Sequence, residues 1–209
     1  MPTRTHLVFS PVHELPDEVE TVALIGRKKE LSVSAWPERL GVDSESFKAM
    51  LDRCAPGDGG ASTTHWVGPM KVVIGVLPEV CSRHNSPSRA WAIPALARRV
   101  AGSRSGVVVL HLEEASHLRA SVLAAARGYP QYVSKKGKMK ERTVSIRAEH
   151  QGQPLEDQGL QMALDGVRTA ARLVDMPTSE LHTDAYVEEA RSMAESVGGA
   201  FEVIQGVEL

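Results

Sequence analysis

Apolar positions in this chain fall into two rhythms, one near two residues and one near 3.6, parted by glycine- and proline-bearing breaks. Thr5 to Phe9 and Val19 to Gly26 are short runs rich in β-branched residues, separated by Pro11, Pro16 and Asp17, and both are predicted as strands. Asp43 or Ser44 can cap a helix through Cys54 that carries Phe47, Met50 and Leu51 on one side. Ala55 to Ala61 (APGDGGA) is turn chemistry. Strands return at Thr63 to Val67 and Lys71 to Leu77, around a tight Gly68-Pro69 turn. A helix is expected from Ser88 to Ala101, with Pro94 near its start or as a kink. Gly106 to Leu112 (GVVVLHL) is a continuous apolar run, the pattern of a strand covered on both faces. Ala115 to Arg127 reads as helix and Thr143 to Arg147 as a strand. Strands alternating with helices predict an α/β layered domain, and the polar segment His150 to Pro154 (HQGQP) marks its boundary.

Beyond that boundary the rhythm is purely helical. Leu160, Ala163, Leu164, Val167, Ala170, Ala171 and Val174 recur at three- and four-residue steps, giving one apolar stripe. Pro177 ends this helix, because proline lacks the backbone donor and restricts the residue before it. Thr183 is then an N-cap candidate for a second helix, with Asp184, Glu188 and Glu189 near its positive end. A short strand is expected at Phe201 to Ile204.

Composition changes little. The chain has 209 residues, 42% hydrophobic and 24% charged, which fits one domain or one domain and a piece of another. With three each of Trp, Tyr and Phe, the core must be built from Val, Leu, Ala and Ile. A net charge of -2 gives no general pull toward nucleic acid or anionic lipid. Cys54 and Cys81 make no disulfide framework, and no run approaches a signal peptide or membrane span, so the cytoplasm is the expected location and no membrane partner is expected.

Candidate chemistry is sparse. Cys81 and His84 have a C-x-x-H spacing, but a closed zinc site needs four ligands and no second cluster joins them. His6, His13, His65, His117, His150 and His182 are scattered, and His111, inside an apolar strand, reads as a satisfied core residue. Lys135, Lys136, Lys138, Lys140 and Arg142, near Tyr129 and Tyr132, form a basic run that can touch phosphates, although a solvated loop around Gly137 is the expected reading over nucleic-acid contact. The glycines from Gly57 to Gly60 lack the Lys-Ser/Thr of a phosphate loop. Ser103 and Ser105 echo a nucleophile elbow, but with helix before strand, so the segment is read as a turn.

The alanine- and arginine-rich helix running into Leu173-Val174-Asp175-Met176-Pro177, followed by the Glu188-Glu189-Ala190 helix, resembles the leucyl aminopeptidase family of metallo-exopeptidases. The common form of that motif has Asn two residues before and two after the proline; Asp175 and Ser179 stand there here, which fits the divergent aminopeptidase-like-1 branch. The resemblance implies a macro-like α/β N-terminal domain with a mixed sheet flanked by helices (1–152), a linker helix (153–176) and the start of a truncated catalytic domain (177–209). It implies two divalent metals, zinc or manganese, in the whole enzyme, peptide substrates, and a homohexamer in which the N-terminal domain supports assembly. The family's ligands, a lysine, three aspartates and a glutamate, lie in a stretch this sequence does not contain, so no catalytic, cofactor-binding or metal-ligating residue is assigned and the chain alone is expected to be inactive. Two other readings follow from the same residues: a stand-alone macro-like binding module, or a shortened partner or inhibitor of the full-length enzyme.

Overall fold

The computed structural model describes residues 3–11, 14–16, 18–100, 104–132, 134 and 140–206. Among them are strands β1 (Thr3–Phe9), β2 (Thr21–Gly26), β3 (Ala61–Val67), β4 (Met70–Val76), β5 (Ser105–His111), β6 (Lys140–His150) and β7 (Gln153–Pro154). They form one seven-stranded sheet of order β1-β6-β5-β2-β4-β3, with β7 against β6. The strands β1, β6, β5, β2 and β4 are parallel, and β3 and β7 are antiparallel to their neighbours. This is the mixed sheet that the family resemblance implied, in the α/β layering that the alternating pattern predicted.

Parallel central strands are covered on both faces, which is why their sequences are continuously apolar. Ala23, Ile25, Val108, Leu110, Val144 and Ile146 point to one side. There they meet α4 (Ile93–Ala97), α5 (Leu118–Ala126) and α6 (Leu160–Asp175). Val22, Leu24, Val72, Ile74, Val107 and Val109 point to the other. That side is closed by α1 (Lys28–Ser32), α2 (Trp36–Arg39) and α3 (Ser44–Arg53). Asp43 caps α3 by accepting from the Ser46 amide at 2.8 Å, as predicted.

Three expectations are corrected. The helix expected from Ser88 to Ala101 is only α4 plus a 3-10 turn at Arg98–Val100, because Pro94 opens the helix and Arg89, at φ 57, holds the preceding residues in turns. No strand forms at 201–204: a lone strand leaves its ladder unpaired, and Phe201 instead lies under the Arg191 guanidinium at 5.1 Å. The helix α7 (Thr183–Ser196) is capped by His182, whose extended backbone lets its ring accept from the Ala185 amide, and Thr183 is already the first helical residue. The helices α1 and α2 were not foreseen, being too short for a periodic signal. The segment at His150 to Pro154 turns tightly, with Gln151 at φ 51 and Gly152 at φ 75, and pairs β7 back onto β6.

The helix α6 lies along the open edge of β1. Gln161 accepts from the Phe9 amide at 2.7 Å and donates to the Leu7 carbonyl at 3.3 Å, while Arg168 donates to the Thr5 carbonyl at 2.7 Å. Seven helical residues rise about 10 Å, and the four steps from Thr5 to Phe9 span about 13 Å, so one helix face can reach successive edge groups of the strand. The exposed edge of the sheet is thus closed by side chains in place of a further strand.

Candidate functional site

In open α/β sheets a ligand crevice forms at the carboxyl ends of the strands where strand order reverses, here between β2 and β5. The two strand ends meet closely: a Cβ on Gly26 would lie 2.8 Å from the His111 Cβ. Arg27, directly after β2, grips both carboxylate oxygens of Glu30 at 2.9 and 2.6 Å and reaches Glu113 at 2.9 Å. Glu113 also holds Arg89 at 2.9 Å, and Arg89 donates to the carbonyls of Pro78, Glu79 and Pro87. Burial alone would push the Glu30 carboxyl up, but the bonds and charge of Arg27 hold it below its ordinary value; the Arg27 guanidinium is raised in turn, chiefly by its bond to Glu30. The place where a ligand phosphate would sit is therefore filled by the protein's own alternating charges.

Beside it, on the α1–α3 face, the odd-numbered positions of β5 and β6 carry a buried polar cluster. Glu149 takes the Nδ1 proton of His111 at 2.7 Å and the Nε1 proton of Trp36 at 2.9 Å. A carboxylate acceptor fixes the tautomer of His111 with its proton on Nδ1. The Arg147 guanidinium lies 5.9 Å from the centre of the Trp36 ring, and burial lowers its pKa. His111 Nε2 and Arg147 Nε and Nη1 are buried without a hydrogen-bond partner. A cavity of about 180 Å³ opens above His111 and Glu149, bordered by Lys29, Ser34 and His150. His111 was expected as a satisfied core residue; it is buried and bonded on one nitrogen only.

The sequence candidates do not converge. The Cys81 thiol lies 3.4 to 3.5 Å from the carbonyls of Ser82, Asn85 and Ser86, while His84 accepts from Arg83. Lys135, Lys136 and Lys138, like His13 and Ser103, lie outside the described residues. Arg142 turns back into the fold, donating to Thr5 Oγ1 at 2.6 Å and stacking 5.4 Å from the Tyr129 ring. Tyr129 is itself buried, its hydroxyl donating to the Ala97 carbonyl, and burial pushes that phenol well up. Both side chains thus make these contacts within the fold. Ser105 opens β5, and Gly57 to Gly60 close a turn through the Gly60 amide and the Gly57 carbonyl.

Apolar exposure collects instead on the last fifty residues. In α6, Leu160 and Leu164 are fully buried, whereas Met162 is 81% and Val174 84% exposed. The helix α7 buries none of its residues and shows Tyr186 and Met193 to solvent, followed by Val197 and Ile204. Its tie to α6 is the bidentate pair of Arg172 with Glu189, at 3.0 and 2.5 Å. That bond holds the Glu189 carboxyl below its ordinary value. A depressed carboxyl stabilises the folded arrangement above its unfolded pKa and loses that contribution as pH falls through the lower, folded one. A carboxyl ¹³C titration is expected to place Glu189 below its value in an unstructured peptide, and Arg172→Ala to move it back; coincidence with the peptide value would refute the tie.

A family model described as M17 aminopeptidase N-terminal domain 2 matches residues 20–139. The chain belongs to the M17 aminopeptidase family. Human probable aminopeptidase NPEPL1 is 34% identical over 145 residues, covering 65% of this chain and 28% of that protein. Leucine aminopeptidase 1 of Caenorhabditis elegans is 25% identical over 213 residues, covering 97% of this chain and 42% of that protein. The chain thus spans less than half the length of these relatives. The solved leucine aminopeptidase of Caenorhabditis elegans superposes on all of this chain with a TM-score of 0.75 at 23% identity, and leucyl aminopeptidase of Leishmania major on 99% with 0.73 at 23%. The fold is the one found in leucine aminopeptidases.

Among the described residues of this M17 chain, no group of three or more His, Cys, Asp and Glu is placed to hold an ion. No described helix is long and apolar enough to cross a membrane. Sequence reasoning missed Arg27, Glu30, Trp36, Arg89, Glu113, Arg147 and Glu149. The Arg27–Glu30 spacing and the Trp36-Pro37 helix start were legible; the pairing of Glu113 with Arg89, and of Glu149 with Trp36, needed the folded chain.

Proposed function

We propose that this chain serves as the N-terminal, non-catalytic part of a leucyl-aminopeptidase-like metallo-exopeptidase. The observation that carries this reading is the match of residues 20–139 to an N-terminal rather than a catalytic domain. The exposed apolar residues of α6 and α7 support it, because such a surface gains by packing against further protein. In this reading residues 1–152 form the macro-like domain, 153–176 link it, and 177–209 start the catalytic domain. The whole enzyme is cytoplasmic, removes N-terminal residues from peptides with two zinc or manganese ions, and is a homohexamer to which this domain contributes contacts. The charges that fill the β2/β5 crevice favour this scaffold role over ligand binding there.

The native protein, isolated from its source with an antibody to residues 20–139, tests the reading. Its intact mass is expected to exceed 22.6 kDa. It should release N-terminal leucine from a peptide in a reaction that a chelator stops and added manganese or zinc restores, while the chain of 209 residues alone does not. A native protein without metal-dependent peptidase activity would overturn it.

A further inference from the structure

The two edges of the sheet are finished differently. Along β1 the outward carbonyls of Thr5 and Leu7 and the outward amide of Phe9 are taken up by Gln161 and Arg168. Along β3 the outward groups can be assigned from the ladder. The amides of Lys71 and Leu77 donate toward β2, to the carbonyls of Glu20 and Gly26, so by alternation Lys71, Val73 and Gly75 bond to β2 and not to β3. Their partners across the hairpin are Trp66, Thr64 and Ser62. The N–H and C=O of those three residues therefore point away from the sheet.

This outer edge also lacks the usual protections. The strand Ala61–Val67 (ASTTHWV) has seven residues and no proline, lysine, arginine, aspartate or glutamate. Its Trp66 is 61% exposed. The outward residues are spaced symmetrically about Thr64. An antiparallel copy of the same strand, turned about a two-fold axis there, would set Thr64 opposite Thr64 and Ser62 opposite Trp66 of the second copy. Each of these is a hydrogen-bonded pair that satisfies the outward N–H and C=O of both residues. No like charges face one another, and each Trp66 ring lies over the short Ser62 of the other chain.

We propose that β3 is a homotypic assembly edge, through which two copies of this chain join their sheets antiparallel about a two-fold axis at Thr64. The proposal rests on the assembly role given to the domain above and names its contact. Sedimentation velocity of the 209-residue chain over a rising concentration series is expected to show a 22.6 kDa monomer passing to a dimer. Thr64→Lys sets two ammonium groups opposite each other, and Thr64→Pro removes an outward N–H that makes no bond among the described residues. Both are expected to keep the melting temperature of the monomer and to weaken association at least about tenfold. In a Cys81→Ser background, Thr64→Cys should yield a disulfide-linked dimer on oxidation, which reports the two-fold register directly.

A chain that stays monomeric throughout, or a dimer that both Thr64→Lys and Thr64→Pro leave intact, overturns the proposal. The same substitutions in the native protein separate the two readings. An oligomer that survives them sinks the β3 contact and leaves the assembly role standing. A native protein that is monomeric even without them sinks the assembly role itself.

Discussion

Replacing Glu149 by leucine is expected to destabilise the chain by about 3–5 kcal/mol, the usual cost of removing one partner of a buried charge cluster. Glu149 is 5% exposed and accepts from both His111 and Trp36. Its removal leaves the buried Nδ1 proton of His111 and the buried indole proton of Trp36 without their acceptor, each a desolvation penalty in its own right. It also removes the negative charge two residues along β6 from the Arg147 guanidinium, which is 6% exposed and whose Nε and Nη1 have no hydrogen-bond partner. The size of the effect comes from the two orphaned donors together with the loss of a negative charge near that buried cation. The double variant Glu149→Leu with Arg147→Leu should therefore recover a large part of the loss, since an apolar pair of similar volume is tolerated where a lone charge is not. Urea unfolding of the wild type and the three variants measures this. A Glu149→Leu loss under about 1 kcal/mol, or no recovery in the double variant, would show that the cluster is held by something other than its charges.

The second large effect concerns where the folding unit ends. Leu164→Ala in α6 is expected to cost about 2–5 kcal/mol. Leu164 is fully buried in the cluster that contains Leu7, Val122 and Ile146. Met193→Ala in α7, where the side chain is 45% exposed and the helix buries nothing, should change stability by no more than about 0.5 kcal/mol. Amide exchange should follow the same division, slow in α6 and fast in α7, because a helix without buried contacts opens locally at low cost. Together these results would assign the linker helix to the N-terminal folding unit and leave 177–209 as a segment that waits for a partner surface. Equal sensitivity of the two helices, or uniform protection along the chain, would remove that distinction.

Much of the architecture was legible because local rules and the final environment agree. The run Gly106 to Leu112 reads as a doubly covered strand, and β5 is one, since a parallel central strand must be apolar on both sides. Asp43 signals the start of α3, and Pro177 stands just past the end of α6. The failures have equally local reasons. A 3.6-residue rhythm cannot register in helices as short as Lys28–Ser32 and Trp36–Arg39. The apolar content of Phe201 to Ile204 satisfies a strand pattern, but a strand also needs an edge to pair with, and no pattern in the chain reports whether one is open.

The amino-acid sequence alone determined that this is an α/β protein of the aminopeptidase lineage, because periodicity and the helix-Pro-helix motif depend only on neighbours along the chain. The tertiary structure alone decided which charges meet. Glu113 between Arg27 and Arg89, and Glu149 between His111 and Trp36, join residues separated by between 24 and 113 positions. It also decided that Gln161 and Arg168 reach along one sheet edge while no described strand pairs with the other. Pairings across such separations follow from how strands are ordered in the sheet, and strand order is set by the packing of whole layers rather than by any short stretch of residues.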